Sequence, residues 1–216
     1  MAFPTTSVLD NFTRANEGPP PSASWLASSI FTGTSALQVT SNTLQSASSA
    51  GGGWGTTAGP DSEVYVTIST LMANLSNCNL WLRGADVGTV NEDGYKFTVQ
   101  RQDGFPGFGA TIVRVDNDSG TQLGATINDT GGAMSAAEKL GCEAIGSNLT
   151  MYYNRGSWVS LGSRTDATYA GAGYMLIAST DSAARYDDFG GGTVVTGGAS
   201  LASDTPMPIA GRGATW

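Results

Sequence analysis

Much of the chain alternates apolar and polar residues with a period of two, the spacing of half-buried β-strands. Glu63-Val64-Tyr65-Val66-Thr67-Ile68-Ser69 is the clearest case, with Val64, Val66 and Ile68 on one face. Asn79-Leu80-Trp81-Leu82-Arg83 and Tyr95-Lys96-Phe97-Thr98-Val99-Gln100 repeat the pattern, and further strands are expected near 139–145, 149–154 and 158–161. Tyr174-Met175-Leu176-Ile177-Ala178 is apolar throughout, as a central strand covered on both faces would be.

Turn formers divide these runs. Asp116-Asn117-Asp118-Ser119-Gly120 predicts a hairpin connection between 111–115 and 121–126, and Thr40-Ser41-Asn42 turns a shorter hairpin of 36–40 with 42–46. Pro19-Pro20-Pro21 imposes a stiff extended connection that wraps an edge. Trp25, Leu26, Ile30 and Phe31 then supply apolar anchors. Residues 48–59, rich in Gly, Ser and Thr around Trp54, read as a loop, and a short helical or irregular piece is expected at 134–137. Strand signals recur about every 8–12 residues, the spacing of a β-sandwich, with no solenoid repeat.

The two ends of this pattern match each other. Val8-Leu9-Asp10-Asn11-Phe12 and Arg185-Tyr186-Asp187-Asp188-Phe189 are both short strand-like runs with an acidic residue shortly before a phenylalanine. Their pairing as neighbouring strands would close the domain on itself.

Composition supports one large all-β unit. The 216 residues include 30 glycines, 40% are hydrophobic and only 13% are charged, so a sizeable core and many tight turns are available. A formal charge of −8, with Lys96 and Lys139 the only lysines and the arginines scattered, argues against a nucleic-acid partner. No run approaches the ~20 apolar residues of a membrane span, and no signal-peptide pattern opens the sequence. Cys78 and Cys142 sit at alternating spacing with leucines, as buried thiols would; a disulfide is the alternative.

The order of segments resembles the concanavalin A-like (laminin G-like) jelly-roll family. The matching features are Leu9-Asp10-Asn11-Phe12-Thr13-Arg14 at the front, Ala184-Arg185-Tyr186-Asp187-Asp188-Phe189 at the back, and a late hairpin from Glu143 through Gly156. The resemblance implies a two-sheet antiparallel sandwich over residues 1–196, with 197–216 as an extended C-terminal arm. Modules of this pattern occur in bacteriophage virion proteins and in secreted carbohydrate-binding proteins. It therefore implies either of two roles. One is a non-enzymatic head-decoration or minor tail component at a virion surface, assembled in the host cytoplasm and binding other virion proteins or copies of itself. The other is a lectin-like module recognising a host-surface glycan.

Candidate chemistry is sparse. The chain contains no histidine, which removes the commonest general base and metal ligand. Glu17, Glu63, Glu92, Glu138 and Glu143 show no closely spaced carboxylate motif of a glycosidase, so no catalytic residue is expected. Asp116-Asn117-Asp118-Ser119-Gly120 invites a calcium reading but lacks the remaining ligands of such a loop, and a polar turn is the expectation. One of Asp187 and Asp188 is expected to face inward and accept backbone hydrogen bonds. No cofactor is expected; some related domains hold calcium at a sheet rim, and no residue here matches as its ligand. Trp54, Trp81, Tyr95, Phe105 and Phe108 could form a stacking platform for sugar rings, with Trp54, Phe105 and Phe108 the best candidates and core or interface packing the alternative. In the arm, Pro206, Pro208, Ile209 and Trp216 are the expected docking residues for a partner.

Overall fold

The computed structural model describes residues 2–27, 37–46, 50–87, 89, 91–103, 107–129 and 131–195. Ile30, Phe31, Phe105 and the whole arm with Pro206, Pro208, Ile209 and Trp216 lie outside the described residues.

Among the described residues every regular element is a strand. In chain order they are β1 (Val8–Asp10), β2 (Trp25–Ala27), β3 (Leu37–Thr40), β4 (Thr43–Ser46), β5 (Ala50–Trp54) and β6 (Ser62–Thr70). The middle of the chain supplies β7 (Asn77–Ala85), β8 (Asp93–Arg101), β9 (Phe108–Asp116), β10 (Ser119–Gln122) and β11 (Ile127–Asn128). Then follow β12 (Lys139–Ile145), β13 (Asn148–Asn154), β14 (Trp158–Thr165), β15 (Tyr174–Ser179) and β16 (Arg185–Thr193).

These strands form two antiparallel sheets. The first runs β14-β13-β12-β6-β16-β4-β3, with β1 also paired to β16; the second runs β10-β9-β8-β7-β15-β5-β2, with β11 also paired to β9. Inward-facing residues of both sheets build one core, including Val64, Val66 and Ile68 opposite Leu80, Leu82, Phe97 and Ile112. Cys78 and Cys142 lie in it as free, buried thiols, and burial pushes the Cys78 thiol up to about 12.

The ends close as the sequence predicts. Val8 is registered with Gly190 and Asp10 with Phe189, and the rings of Phe12 and Phe189 are both fully buried against Trp25. The Asp10 carboxylate ties this corner together: it accepts from Phe12 N (2.9 Å), Trp25 Nε1 (2.9 Å) and both terminal nitrogens of Arg14 (2.6 and 2.9 Å). The buried carboxylate of this corner is therefore Asp10; of the pair on β16, both half-buried, Asp187 Oδ1 accepts one backbone hydrogen bond, from Asp188 N at 2.8 Å. Those two occupy a bulge of β16, with Asp188 at φ 48° and its carboxylate accepting from Thr67 Oγ1.

Both predicted hairpin turns form, with Ser41-Asn42 and Asn117-Asp118 at positive φ as two-residue hairpin turns require. Glu17, two residues before the proline segment, bridges to Val39 at the β3 edge, while Pro19-Pro20-Pro21 is bent and not extended. Residues 134–137 contain a turn and no helix.

The stretch read as a 48–59 loop is different: 50–54 is a strand inside the second sheet, paired to both β15 and β2. At Gly52 the space is small. A Cβ on Gly52 would come within 3.1 Å of Leu37 Cδ1 and 3.3 Å of Leu26 O. Glycine usually weakens a strand, but here it admits close backbone approach.

Candidate functional site: the outer face of the second sheet

A sandwich has two outer faces, and this chain treats them differently. Residues 2–7 lie across the outer face of the first sheet. Phe3 stacks on Tyr152 (centroids 4.1 Å apart, 5° between planes) and meets Trp158 edge-on at 4.9 Å. The slot exists because residue 141 is glycine: a Cβ there would lie 2.5 Å from Phe3 Cζ. Glu63 Oε1 accepts from the backbone nitrogens of Thr5 and Thr6, each at 2.6 Å, and Tyr65 Oη donates to Thr6 O at 3.0 Å.

Under that strap the fold brings together two carboxylates that lie far apart in sequence, because Glu63 of β6 is registered with Glu143 of β12. Burial raises Glu143, and the neighbouring Glu63 charge adds to the rise, against a hydrogen bond from Tyr152 at 3.0 Å. Glu63 itself is fully buried and serves to clamp the strap. We expect Gly141→Ala to loosen residues 2–7 at a cost of about 1–3 kcal/mol, the usual range for overpacking. Faster proteolysis before residue 8 than in wild type would register it; unchanged cleavage and stability would contradict the slot.

On the outer face of the second sheet the described residues leave a hollow over β7, β8 and β9. Across these strands the outward residues form registered rows: Asn77 with Gln100, Asn79 with Thr98 and Thr111, Trp81 with Lys96 and Val113. These rows line a hollow of about 360 Å³ that continues into a second of about 240 Å³ bounded by Gln100, Gln102 and Thr126. One end of the face is apolar, where Trp81, Leu176 and Val115 pack with Val87 and Val113. The rest is polar, mostly amides and hydroxyls, with Lys96 and Asp118 the charged residues that line it.

Several of these groups are oriented within the wall. Thr98 Oγ1 donates to Asn79 Oδ1 at 2.7 Å, Asn77 N donates to Thr180 Oγ1 at 2.7 Å, and Gln102 Nε2 donates to Gln100 Oε1 at 3.3 Å. Two polar atoms of the residues lining this wall are buried with no hydrogen-bond partner, Asn77 Oδ1 and Trp81 Nε1. Lys96 Nζ lies 5.7 Å from the centre of the Trp81 ring, and burial lowers its pKa.

Of the aromatic residues singled out from the sequence, the four described ones, Trp54, Trp81, Tyr95 and Phe108, do not form one platform. Phe108 is a core residue, 2% exposed, packed on Tyr153 with centroids 4.6 Å apart. Its inward placement follows from the alternation of β9, which puts Phe108, Ala110 and Ile112 on the core side. Trp54 is half-buried and packs edge-on against Trp25 at 5.7 Å. Tyr95 is buried, and its hydroxyl donates to Asp166 at 2.7 Å. Of the described members of the set only Trp81 reaches the groove, with its ring covered. Sequence reasoning missed Asn77, Asn79, Thr98 and Thr111, because outward polar residues on a strand look the same whether they meet bulk water or line a groove.

The 116–120 segment is a turn whose carboxylates are engaged internally. Asp116 accepts from Tyr169 Oη (2.5 Å) and Arg114 Nε (2.8 Å), and Asp118 accepts from Glu92 N (3.2 Å). Among the described residues no three Asp, Glu, His or Cys side chains gather as a cation site would need.

No protein-family model matches the chain, and no curated protein matches it in sequence. Solved structures do match in fold. The carbohydrate-binding module CBM66 from Bacillus subtilis aligns with a TM-score of 0.56 at 14% identity, over 79% of this chain and 94% of that one. The VIP36 exoplasmic/lumenal domain in its Ca2+/Man2-bound form aligns with a TM-score of 0.58 at 12% identity, over 90% of each chain. LamAcat from Zobellia galactanivorans aligns with a TM-score of 0.56 at 13% identity, over 87% and 97%. With its two antiparallel sheets, closed ends and single core, the chain has the jelly-roll sandwich fold shared by these concanavalin A-like and galectin-like domains.

Proposed function

We propose that this protein is a carbohydrate-binding module that holds a saccharide on the outer face of β7, β8 and β9, by contact and without bond cleavage. The observation that carries the reading is the composition of that groove. Asn77, Asn79, Thr98, Gln100 and Thr111 present uncharged amides and hydroxyls, which donate and accept at once as sugar hydroxyls do. The partnerless Asn77 Oδ1 and Trp81 Nε1 add an acceptor and a donor already removed from bulk water. The neighbours lend support through their own names: one is a carbohydrate-binding module and another was solved with Man2 bound.

Recognition here works through hydrogen bonds and not through an exposed stacking platform, since Trp81 is 1% exposed. A binding role also accords with Glu63, whose carboxylate is committed to the strap. The virion-surface role that the sequence resemblance implies draws no support from the fold neighbours. Glycan recognition is the better-supported reading.

The test is a glycan array followed by titration of the best hit. Asn79→Ala combined with Thr98→Val is expected to weaken binding about tenfold or more, as the loss of two hydrogen-bonding groups implies. The melting temperature should stay within a few degrees. Full affinity in the double variant, or an array with no hits, would refute the proposal.

A further inference from the structure

Among the described residues the cations are almost all engaged. Arg14, Arg101, Arg114, Arg155 and Lys139 lie within 4 Å of carboxylates. Arg83, Arg164 and Arg185 donate to backbone carbonyls. Lys96 is the exception among the described residues: its ammonium has neither a carboxylate nor a carbonyl partner, and its one recorded contact is the face of Trp81. It stands in the groove wall, half-buried, in a protein of net charge −8. The one carboxylate lining the same hollow, Asp118, lies beyond ion-pair distance and accepts from Glu92 N.

A half-buried ammonium without a counter-charge is costly, and an anion placed beside it recovers that cost. Trp81 Nε1, a donor without a partner, belongs to the same wall. We propose that the groove selects acidic saccharides, with Lys96 Nζ taking the anionic group of one sugar unit while Asn77, Asn79, Thr98 and Thr111 take hydroxyls. The inference rests on the glycan-binding reading and names the ligand class for that site. Burial lowers the Lys96 pKa in the free protein, and a bound anion would reverse that shift.

The experiment compares three oligosaccharides of equal length by calorimetric titration of the full chain. These are a uronate oligomer, its carboxyl-reduced neutral counterpart and a sulfated neutral oligomer. At least one acidic ligand is expected to bind about tenfold or more tighter than the neutral one, as a charge-assisted contact implies, with the preference shrinking as salt is raised. Which acidic ligand wins identifies the anionic group as carboxylate or sulfate. Lys96→Gln should abolish the preference, and Lys96→Arg should retain it. Equal affinity for all three, lost in the Asn79→Ala/Thr98→Val variant, would overturn acidic selectivity and leave the glycan site standing. Binding to none of the three and to no glycan on an array would remove both.

Discussion

Asp10→Ala is expected to destabilise the fold by about 3 kcal/mol, lowering the melting temperature by roughly 6–12 °C for a chain of this length. One carboxylate there satisfies Arg14, Trp25 Nε1 and Phe12 N, where the first and last strands of the domain meet. Truncation leaves the indole N–H and a backbone N–H without acceptors in a corner where Trp25 is 3% exposed. Arg14 retains Glu17 at 2.8 Å, so its loss is partial.

The effect carries a pH signature. Burial raises the Asp10 pKa, but the hydrogen bonds from Arg14, Trp25 and Phe12 outweigh it and hold the carboxyl below its ordinary value. A depressed folded-state pKa means that the stabilisation is complete above the unfolded value, about pH 4, and fades as pH falls through the folded one. The gap between wild type and Asp10→Ala in chemical denaturation should therefore narrow below about pH 4. A cost under about 1 kcal/mol, within the range of a single exposed ion pair, would mean that the β1–β16 pairing closes the domain without this carboxylate.

Arg83→Lys should cost about 2 kcal/mol, and Arg83→Ala more than that. Arg83 is 3% exposed and sits at positive φ in a bulge of β7, where a Cβ on Gly173 would come 2.4 Å from its carbonyl carbon. Its guanidinium donates to Pro60 O at 2.8 Å, Tyr169 O at 2.8 Å and Gly146 O at 2.7 Å. Those carbonyls lie before β6, before β15 and in the β12–β13 turn, so one side chain on the second sheet fastens loops belonging to both. The planar fork reaches three divergent acceptors, whereas a single ammonium cannot. Equilibrium denaturation of both variants checks this; a lysine variant as stable as wild type would show that the loops hold their positions without the fork.

The strands were legible wherever one face is apolar and the other polar, as in β6, β7 and β8, because burial of one face imposes a period of two. The two I′-type turns were legible because Ser41-Asn42 and Asn117-Asp118 tolerate positive φ. The end-to-end closure was readable from Asp10-Asn11-Phe12 and Asp188-Phe189, although which carboxylate is buried at this corner was not: the bulge at Asp187 and Asp188 has no local signature. β5 escaped because Gly51-Gly52-Gly53 carries no side-chain pattern, and its strand character comes from pairing with β15 on one side and β2 on the other. The site was the least legible part. Which outer face the strap covers depends on where residues 2–7 fold back, and that is fixed by the Gly141 slot and Glu63, both remote in sequence. The aromatic residues attracted attention for their chemistry, yet Phe108 was needed by the core.

The central claim is that the outer face of β7, β8 and β9 is where this protein meets a saccharide. Backbone amide chemical shifts recorded while titrating a glycan hit test it most directly. The account predicts perturbations concentrated at Asn77, Asn79, Lys96, Thr98 and Thr111, with residues 2–7 and β12–β14 unmoved. Perturbations centred on Phe3, Tyr152 and Trp158, leaving the β7–β9 rows unchanged, would contradict it.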